Sequence, residues 1–372
     1  MSDRCFIATR KGLFTVDRRA SKWSISKAAF VGDNATLVLH DPRSGNLFTT
    51  LNHGHFGIKV HRSENQGETW SEVGTPQYPP MPEGYVPKPH PFTGKPLEWT
   101  LKLIWAFATG GPDEPGVIWA GTMPGGLFKS ENNGDSWELN RPLWDHPRRE
   151  DWGPNGAEYP GIHSICVDPG DSRHISIGVS TGGVWITRDG GKSWDLCGRG
   201  MRSDYAPEEQ AYDPIGQDVH CLAQCAAKPD MMWVQHHNGI FKSVDGAASW
   251  TEIKHVKPSV FGFAVAVHPN DPNTAWFVPS TKDEKRCPAD GRVVVNRTRD
   301  GAKTFETLRS GLPQEHAYDL VYRHGLDVDE TGNRLVFGST TGSVWISENG
   351  GDSWQTVSSN LPPVYAVRFV KP

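Results

Sequence analysis

Short apolar runs with strict alternation recur along the chain, as in "GGLFK" (125–129), "GVWIT" (183–187), "GIFKS" (239–243) and "SVWIS" (343–347). A period of two marks half-buried β-strands, and few stretches show the 3.6-residue period of an amphipathic helix. Each run leads into a polar turn of one kind: "SENQGETW" (63–70), "SENNGDSW" (130–137), "TRDGGKSW" (187–194), "SVDGAASW" (243–250), "TRDGAKTF" (298–305) and "SENGGDSW" (347–354). Alternation then resumes, so each turn joins the two strands of a hairpin. The third residue (Asn65, Asn132, Asp189, Asp245, Asp300, Asn349) is predicted to accept hydrogen bonds from backbone N–H groups of its own turn, and the fifth, usually Gly, to supply positive φ. Ala247 and Ala302 replace that glycine, with Gly246 and Gly301 one place earlier, so those turns are expected to differ in detail. The closing aromatics (Trp70, Trp137, Trp194, Trp250, Phe305, Trp354) are predicted to cover apolar area between stacked sheets.

The turns start at 63, 130, 187, 243, 298 and 347, a spacing that suits one four-stranded antiparallel sheet per repeat. In the fourth repeat the strands read "VHCLAQCA", "MMWVQHH", "GIFKSV" and "SWTEI", here called A to D from the inside outward. A seventh sheet is divided between the chain ends: "VYAVRFV" supplies strand A, and "CFIATR", "GLFTVD" and "KWSISK" supply B, C and D. The expected fold is therefore all-β, a single seven-bladed β-propeller of four-stranded antiparallel blades, closed by pairing of the N- and C-terminal strands. Its blades are placed at 36–73, 101–140, 162–197, 219–254, 260–308, 319–357, and 364–372 with 5–27. Closure removes exposed strand edges.

Charged residues make up 22% of the chain and the net charge is −5 without a long basic run, which argues against a nucleic-acid partner. No apolar stretch approaches the roughly 20 residues needed to span a bilayer, and "MSDRCFIATR" lacks the apolar core of a signal peptide. A cytoplasmic protein without a membrane partner is expected, its six cysteines reduced. The partner class is a small-molecule or glycan substrate; the pattern says nothing of oligomeric state.

The repeated turn resembles the Asp-box (BNR) motif, S-x-D-x-G-x-[ST]-W, of sialidase-like β-propellers and covers essentially the whole chain, and "ATRKGLF" near the start resembles bacterial YVTN/BNR-like propellers labelled sialidase-like. The resemblance implies the fold; its members include sialidases, other glycoside hydrolases, sortilin-type receptors and photosystem assembly factors, so function must come from the site. A sialidase holds its substrate's carboxylate with three arginines and uses a Tyr–Glu nucleophile pair with an Asp acid. Here no FRIP-like segment precedes the first turn, and only Arg10, Arg286, Arg323 and Arg368 fall on the front face or inner strands.

In an A-to-D meander the repeated turns share one face, and the B-to-C turns and D-to-A connections share the other, called the front. Long insertions at 74–98, 140–161, 198–217 and 280–291 lie on the front and are expected to wall the channel mouth. Trp99, Trp144, Trp152, Tyr85 and Tyr205 in them would suit sugar stacking or protein contact. His53 and His55 ("LNHGHFG") and His236 and His237 ("VQHHNG") occupy front turns, and His163 and His220 stand near the starts of inner strands. Imidazole favours divalent metals, so His163, His220 and His236 are the expected ligands of one divalent ion (Mn, Zn, Ca or Mg); no organic cofactor is evident. Glu158, Tyr159, Asp218 and His237 are the expected catalytic groups, and His53, His55, Trp99, Arg10 and Lys282 the substrate-binding ones. Propellers that cleave uronic-acid glycans or lactone rings are similar in using a mouth cluster of histidines, often with a metal. The expected function is a metal-assisted hydrolase or lyase on a carbohydrate-like or other small polar substrate. The alternatives are a sialidase-like glycosidase with paired carboxylates and a non-catalytic binding or assembly propeller.

Overall fold

The alternating runs become strands, and the strands gather into seven four-stranded antiparallel sheets. The computed structural model describes residues 1–87, 89, 94, 96, 98–153 and 159–370. The inner strands of blades 1 to 7 are Ala35–His40, Leu103–Thr109, Gly161–Asp168, Val219–Cys225, Gly262–Val267, Leu326–Val328 and Val364–Phe369. Each contacts the next and the last contacts the first, so they line a central channel. Blade 7 closes the ring: Val364–Phe369 pairs with Arg4–Thr9 in the register Cys5↔Phe369, Ile7↔Val367, Ala8↔Ala366. Among the described residues no helix is long and apolar enough to cross a membrane.

The space between blades is filled by large rings. Trp23, Trp119, Trp185, Trp233, Trp276 and Trp345 are almost fully buried. All six cysteines are free thiols, and burial pushes Cys166 up to about 12.

The six turns are near copies. In each, the first-position hydroxyl accepts the N–H of the fifth residue (Ser63 from Gly67 and Ser130 from Gly134 at 2.8 Å; Ser243 from Ala247 and Thr298 from Ala302 at 2.9 Å). The third-position Oδ1 accepts the N–H four residues on at 2.9 Å, in Asn65, Asn132, Asp189, Asp245, Asp300 and Asn349 alike. The expected difference at Ala247 and Ala302 is absent from this pattern: both alanines take the positive φ of the glycines, at 65° and 73°. The cap bonds hold them there.

Three turns use Asp and three use Asn, which leads to a prediction. Hydroxyl bonds from Ser193, Ser249 and Thr304 lower the pKa of Asp189, Asp245 and Asp300, the last to about 2. A depressed carboxylate contributes stability that is present above its unfolded value, near 3.8, and lost as pH falls toward its folded value. Asparagine makes the same turn, with Asn65 Nδ2 donating to Thr69 Oγ1 at 2.9 Å. The triple variant D189N/D245N/D300N is expected to melt near the parent at neutral pH and to lose less Tm between about pH 5 and pH 3. Thermal melts across that range check it; an unchanged acid limb would refute it.

One blade departs from expectation. The inner strand of blade 6, expected from residue 319, covers only Leu326–Val328. Gly325 N–H donates to Tyr322 O at 2.7 Å, and this tight turn folds the preceding segment out of the sheet and into the channel.

Candidate metal and catalytic site

The front mouth at blade 4 carries a compact cluster. Asp218 immediately precedes the inner strand Val219–Cys225, His220 is its second residue, and His237 follows the neighbouring strand Lys228–His236. His237 N–H donates to Asp218 O at 2.9 Å, which fixes the two chain segments to one another. Asp218 Oδ2 lies 3.6 Å from His220 Nε2 and 3.3 Å from His237 Nδ1. Ser180 Oγ donates to Asp218 Oδ1 at 3.3 Å. One ligand atom from each of Asp218, His220 and His237 lies within 4.8 Å of the others.

The tautomer of His220 follows from its partner. Its Nδ1 is 2.7 Å from Gly262 O, and a carbonyl only accepts, so Nδ1 carries the proton. Burial lowers the His220 pKa, although Asp218 opposes it. The neutral ring then aims a bare Nε2 lone pair at a carboxylate oxygen, 3.6 Å away and too far for a hydrogen bond. Two facing lone pairs repel unless a cation lies between them. A backbone carbonyl holding the second ring nitrogen is also how metal-bound imidazoles are oriented.

Burial works to raise the Asp218 pKa, but the His237 imidazole and the Arg323 charge outweigh it and hold the carboxylate well below its ordinary range. His237 is raised by the same carboxylate. His220 is nearly fully buried and stacks on Phe263 at 4.4 Å, whereas His237 is about a quarter exposed and meets the Tyr205 ring at 5.0 Å. The cluster is therefore closed on its inner side and open on its outer one.

Of the three expected ligands, the structure brings only His220 into this cluster. His163 is fully buried with both nitrogens spoken for: Nε2 donates to Val219 O at 2.6 Å and Nδ1 accepts from Ser164 Oγ at 2.8 Å. It ties blade 3 to blade 4, and ligation through either nitrogen would break one of these buried bonds. His236 is also fully buried; its Nδ1 accepts from Asn238 N at 3.1 Å, and burial takes its pKa down to about 3. The alternation of the strand explains the exchange, because successive side chains point to opposite faces and only His237, just past its end, turns to the mouth. Asp218 and His237, expected as catalytic, supply the missing donors instead.

The other expected residues are dispersed. Glu158 lies outside the described residues. Tyr159 sits under Lys102 Nζ, 5.8 Å from its ring centre. His53 lies 3.6 Å from Asp33 on blade 1, and exposed His55 touches Phe56. Arg10 is exposed, and Lys282 pairs with Glu284 at 3.3 Å. Trp99 packs at 5.1 Å from both Tyr85 and Trp144. Trp144 and Trp152 are 4% and 5% exposed, so they are interior supports of the loops and not open stacking rings. Phe261 and Phe263 around the cluster were not singled out by spacing, because phenylalanines read as ordinary strand residues; Arg323, beside them, was one of the four arginines placed on the front face or inner strands.

Fold and cluster together define a seven-bladed β-propeller with a His₂Asp centre at one mouth of its channel. No family model matches the chain. It is 26% identical over 287 residues to a probable oligoxyloglucan-reducing end-specific xyloglucanase of Neosartorya fischeri, covering 69% of this chain and 32% of that protein. To the oligoxyloglucan-reducing end-specific xyloglucanase of Emericella nidulans it is 32% identical over 256 residues, covering 68% and 27%. The chain thus spans about a third or less of the length of these curated relatives. Among solved structures, an ancestral GH74 enzyme superposes with a TM-score of 0.58 at 17% identity, over 87% of this chain and 38% of that one. YCF48 from Cyanidioschyzon merolae gives 0.53 at 13%, over 88% and 87%. A functionally unknown protein from Desulfotomaculum acetoxidans gives 0.60 at 9%, over the whole of both chains. These structures share the fold.

Proposed function

We propose that the chain is a carbohydrate-active propeller, a metal-assisted hydrolase or lyase that cleaves a glycan or similar polar substrate at the front mouth, with Asp218, His220 and His237 holding one divalent cation. The carrying observation is His220, whose Nδ1 is held by Gly262 O and whose Nε2 faces the Asp218 carboxylate at 3.6 Å, beside a second imidazole. The donor set, two nitrogens and one carboxylate oxygen, suits Mn or Zn with positions left open. Such an ion supplies Lewis-acid polarisation of a substrate oxygen or an acidified water. Asp218 and His220 hold the buried side and His237 the exposed side. Similarity to two xyloglucanases supports a glycan substrate. Tyr205, 50% exposed beside His237, offers a ring for a sugar face.

Chelator-treated protein titrated calorimetrically with Mn²⁺ and Zn²⁺ tests the reading. One equivalent is expected to bind, with at least about 100-fold weaker binding in D218N or H220A. Reducing-end release from xyloglucan oligosaccharides and the absorbance of unsaturated product from a uronic-acid glycan read cleavage. Stoichiometric metal without cleavage of either would favour a binding propeller. No metal affinity would discard the centre.

A further inference from the structure

Behind the front mouth the channel is crossed by the segment that fails to join blade 6. Residues 319–325 leave the sheet and lie among the inner strands: Cys221 Sγ meets Arg323 O at 4.0 Å on blade 4, and Val367 N–H donates to His324 O at 2.8 Å on blade 7. The Arg323 guanidinium is laid over Trp105 of blade 2 at 4.6 Å and Phe263 of blade 5 at 5.6 Å. On the far side, a cavity of about 560 Å³ opens toward the face of the repeated turns, and Arg323, His324 and Arg368 line it together.

Arg323 is anomalous for its surroundings. Among the described residues its side chain has no ion pair or hydrogen bond, and its Nε is buried without a partner. Buried Nε2 of His324 and Nε of Arg368 are likewise without partners. The carboxylates that share the cavity wall are already engaged. Asp327 accepts from Arg368 Nη1 at 2.9 Å and from Phe369 N at 2.8 Å. Asp329 accepts from Ser2 N, Thr331 and Arg334 N, and Glu330 accepts from Ser2 Oγ and pairs with the N-terminus. Asp168 accepts from Gly170 N and faces His174. A guanidinium keeps its charge even when burial lowers its pKa; the Asp218 carboxylate at the mouth acts on it through space but makes no contact with it, so its buried donors stay unfilled. Stacking on two rings offsets only part of the cost of burying the charge.

We infer that the channel behind the mouth is a binding site for a compact oxyanion, a carboxylate, phosphate or sulfate group, held by Arg323 and Arg368 with His324 beside them. Planar guanidinium forks match such groups bidentately. The ligand enters from the face of the repeated turns; the inference does not rest on the glycan reading of the front mouth, although Arg323 also acts through space on Asp218 there. The anion is either a free inorganic ion or the acidic group of a small organic molecule.

Titration of the full chain with sodium sulfate, sodium phosphate and sodium glucuronate, at ionic strength held constant with sodium chloride, tests this and separates the two sources. Wild type is expected to bind at least one of them with a Kd below about 1 mM, and R323Q at least about tenfold more weakly. Crystals of wild type soaked in selenate are expected to show an anomalous peak beside the Arg323 guanidinium, which keeps the test open where R323Q does not fold. Equal binding by R323Q would overturn the inference. So would no binding of any of the three anions with no selenate peak in the channel.

Discussion

A chain ending at Pro363 is expected to be insoluble or to elute as aggregate, although only the last strand is lost. Val364, Ala366, Val367 and Phe369 are all at most 3% exposed. Val364, Val367 and Phe369 pack with Cys5, Ile7, Val16, Trp23, Val344 and Ile346 between blades 6 and 7, and Ala366 joins the cluster of Phe6, Ala8 and Ala35. Burying two valines and a phenylalanine contributes about 6 kcal/mol, comparable with the whole net stability of many proteins, about 5–15 kcal/mol. Their loss also strips Arg4–Thr9 of its partner, leaving an unpaired apolar edge at the channel wall. Asp327 loses Arg368 and Phe369 N as well. Size-exclusion chromatography and binding of a hydrophobic dye check the outcome. A permuted chain, cut in the exposed 30–34 loop with the ends joined by a short Gly/Ser linker, is expected to fold, because blade 7 is then one continuous meander. A truncated chain that elutes and melts like the full one would show that the ring does not need this closure.

The closure was readable because a lone strand A near one end and a B–C–D hairpin set near the other have complementary patterns. The six turns were readable for a similar local reason: every bond that defines them spans four residues or fewer. The candidate site was legible only in part. Histidine enrichment on one face pointed to the right mouth, but the fate of each ring is set by partners distant in sequence. Val219 O accepts the His163 N–H from 56 residues away, and Gly262 O fixes the His220 tautomer from 42. Strand parity sends His236 inward and leaves His237 free, and one residue of register decides that. The irregular segment before Leu326 was misread as strand because "DLVYRHGLDV" alternates as well as a true strand does; only the Tyr322–Gly325 turn, packed against the channel, reveals its course.

Gly311→Val is expected to lower the melting temperature by roughly 4 °C or more, a large effect for one surface-loop position. Gly311 follows the outer strand Glu306–Leu308 of blade 5 with φ of 84°, and a β-carbon there would collide with the carbonyl oxygen of Trp354 in blade 6. The close approach has a purpose. Ser310 O accepts Trp354 N–H at 2.9 Å, so the loop leaving one blade is bonded to the aromatic that closes the next blade's turn. The device recurs: Gly200, φ 95°, sits against Trp250 O while Arg199 O accepts Trp250 N–H at 2.8 Å, joining blades 3 and 4. Between blades 1 and 2, Gly74 O accepts Trp137 Nε1 at 2.9 Å. The closing aromatics thus do more than cover area between sheets; they carry the hydrogen bonds that fix blade to blade. Valine at 311 adds left-handed strain of about 1–3 kcal/mol and breaks a bond of about 1 kcal/mol. A total near 3 kcal/mol, divided by an unfolding entropy of about 2.1 cal/mol/K per residue, gives the stated shift. Gly216, whose surroundings are open and whose φ is ordinary, is the control: Gly216→Ala is expected to leave Tm unchanged. Scanning calorimetry of the two variants beside the parent decides the matter, and a Gly311→Val protein that melts with the Gly216→Ala control would show that the blade-to-blade contact yields without cost.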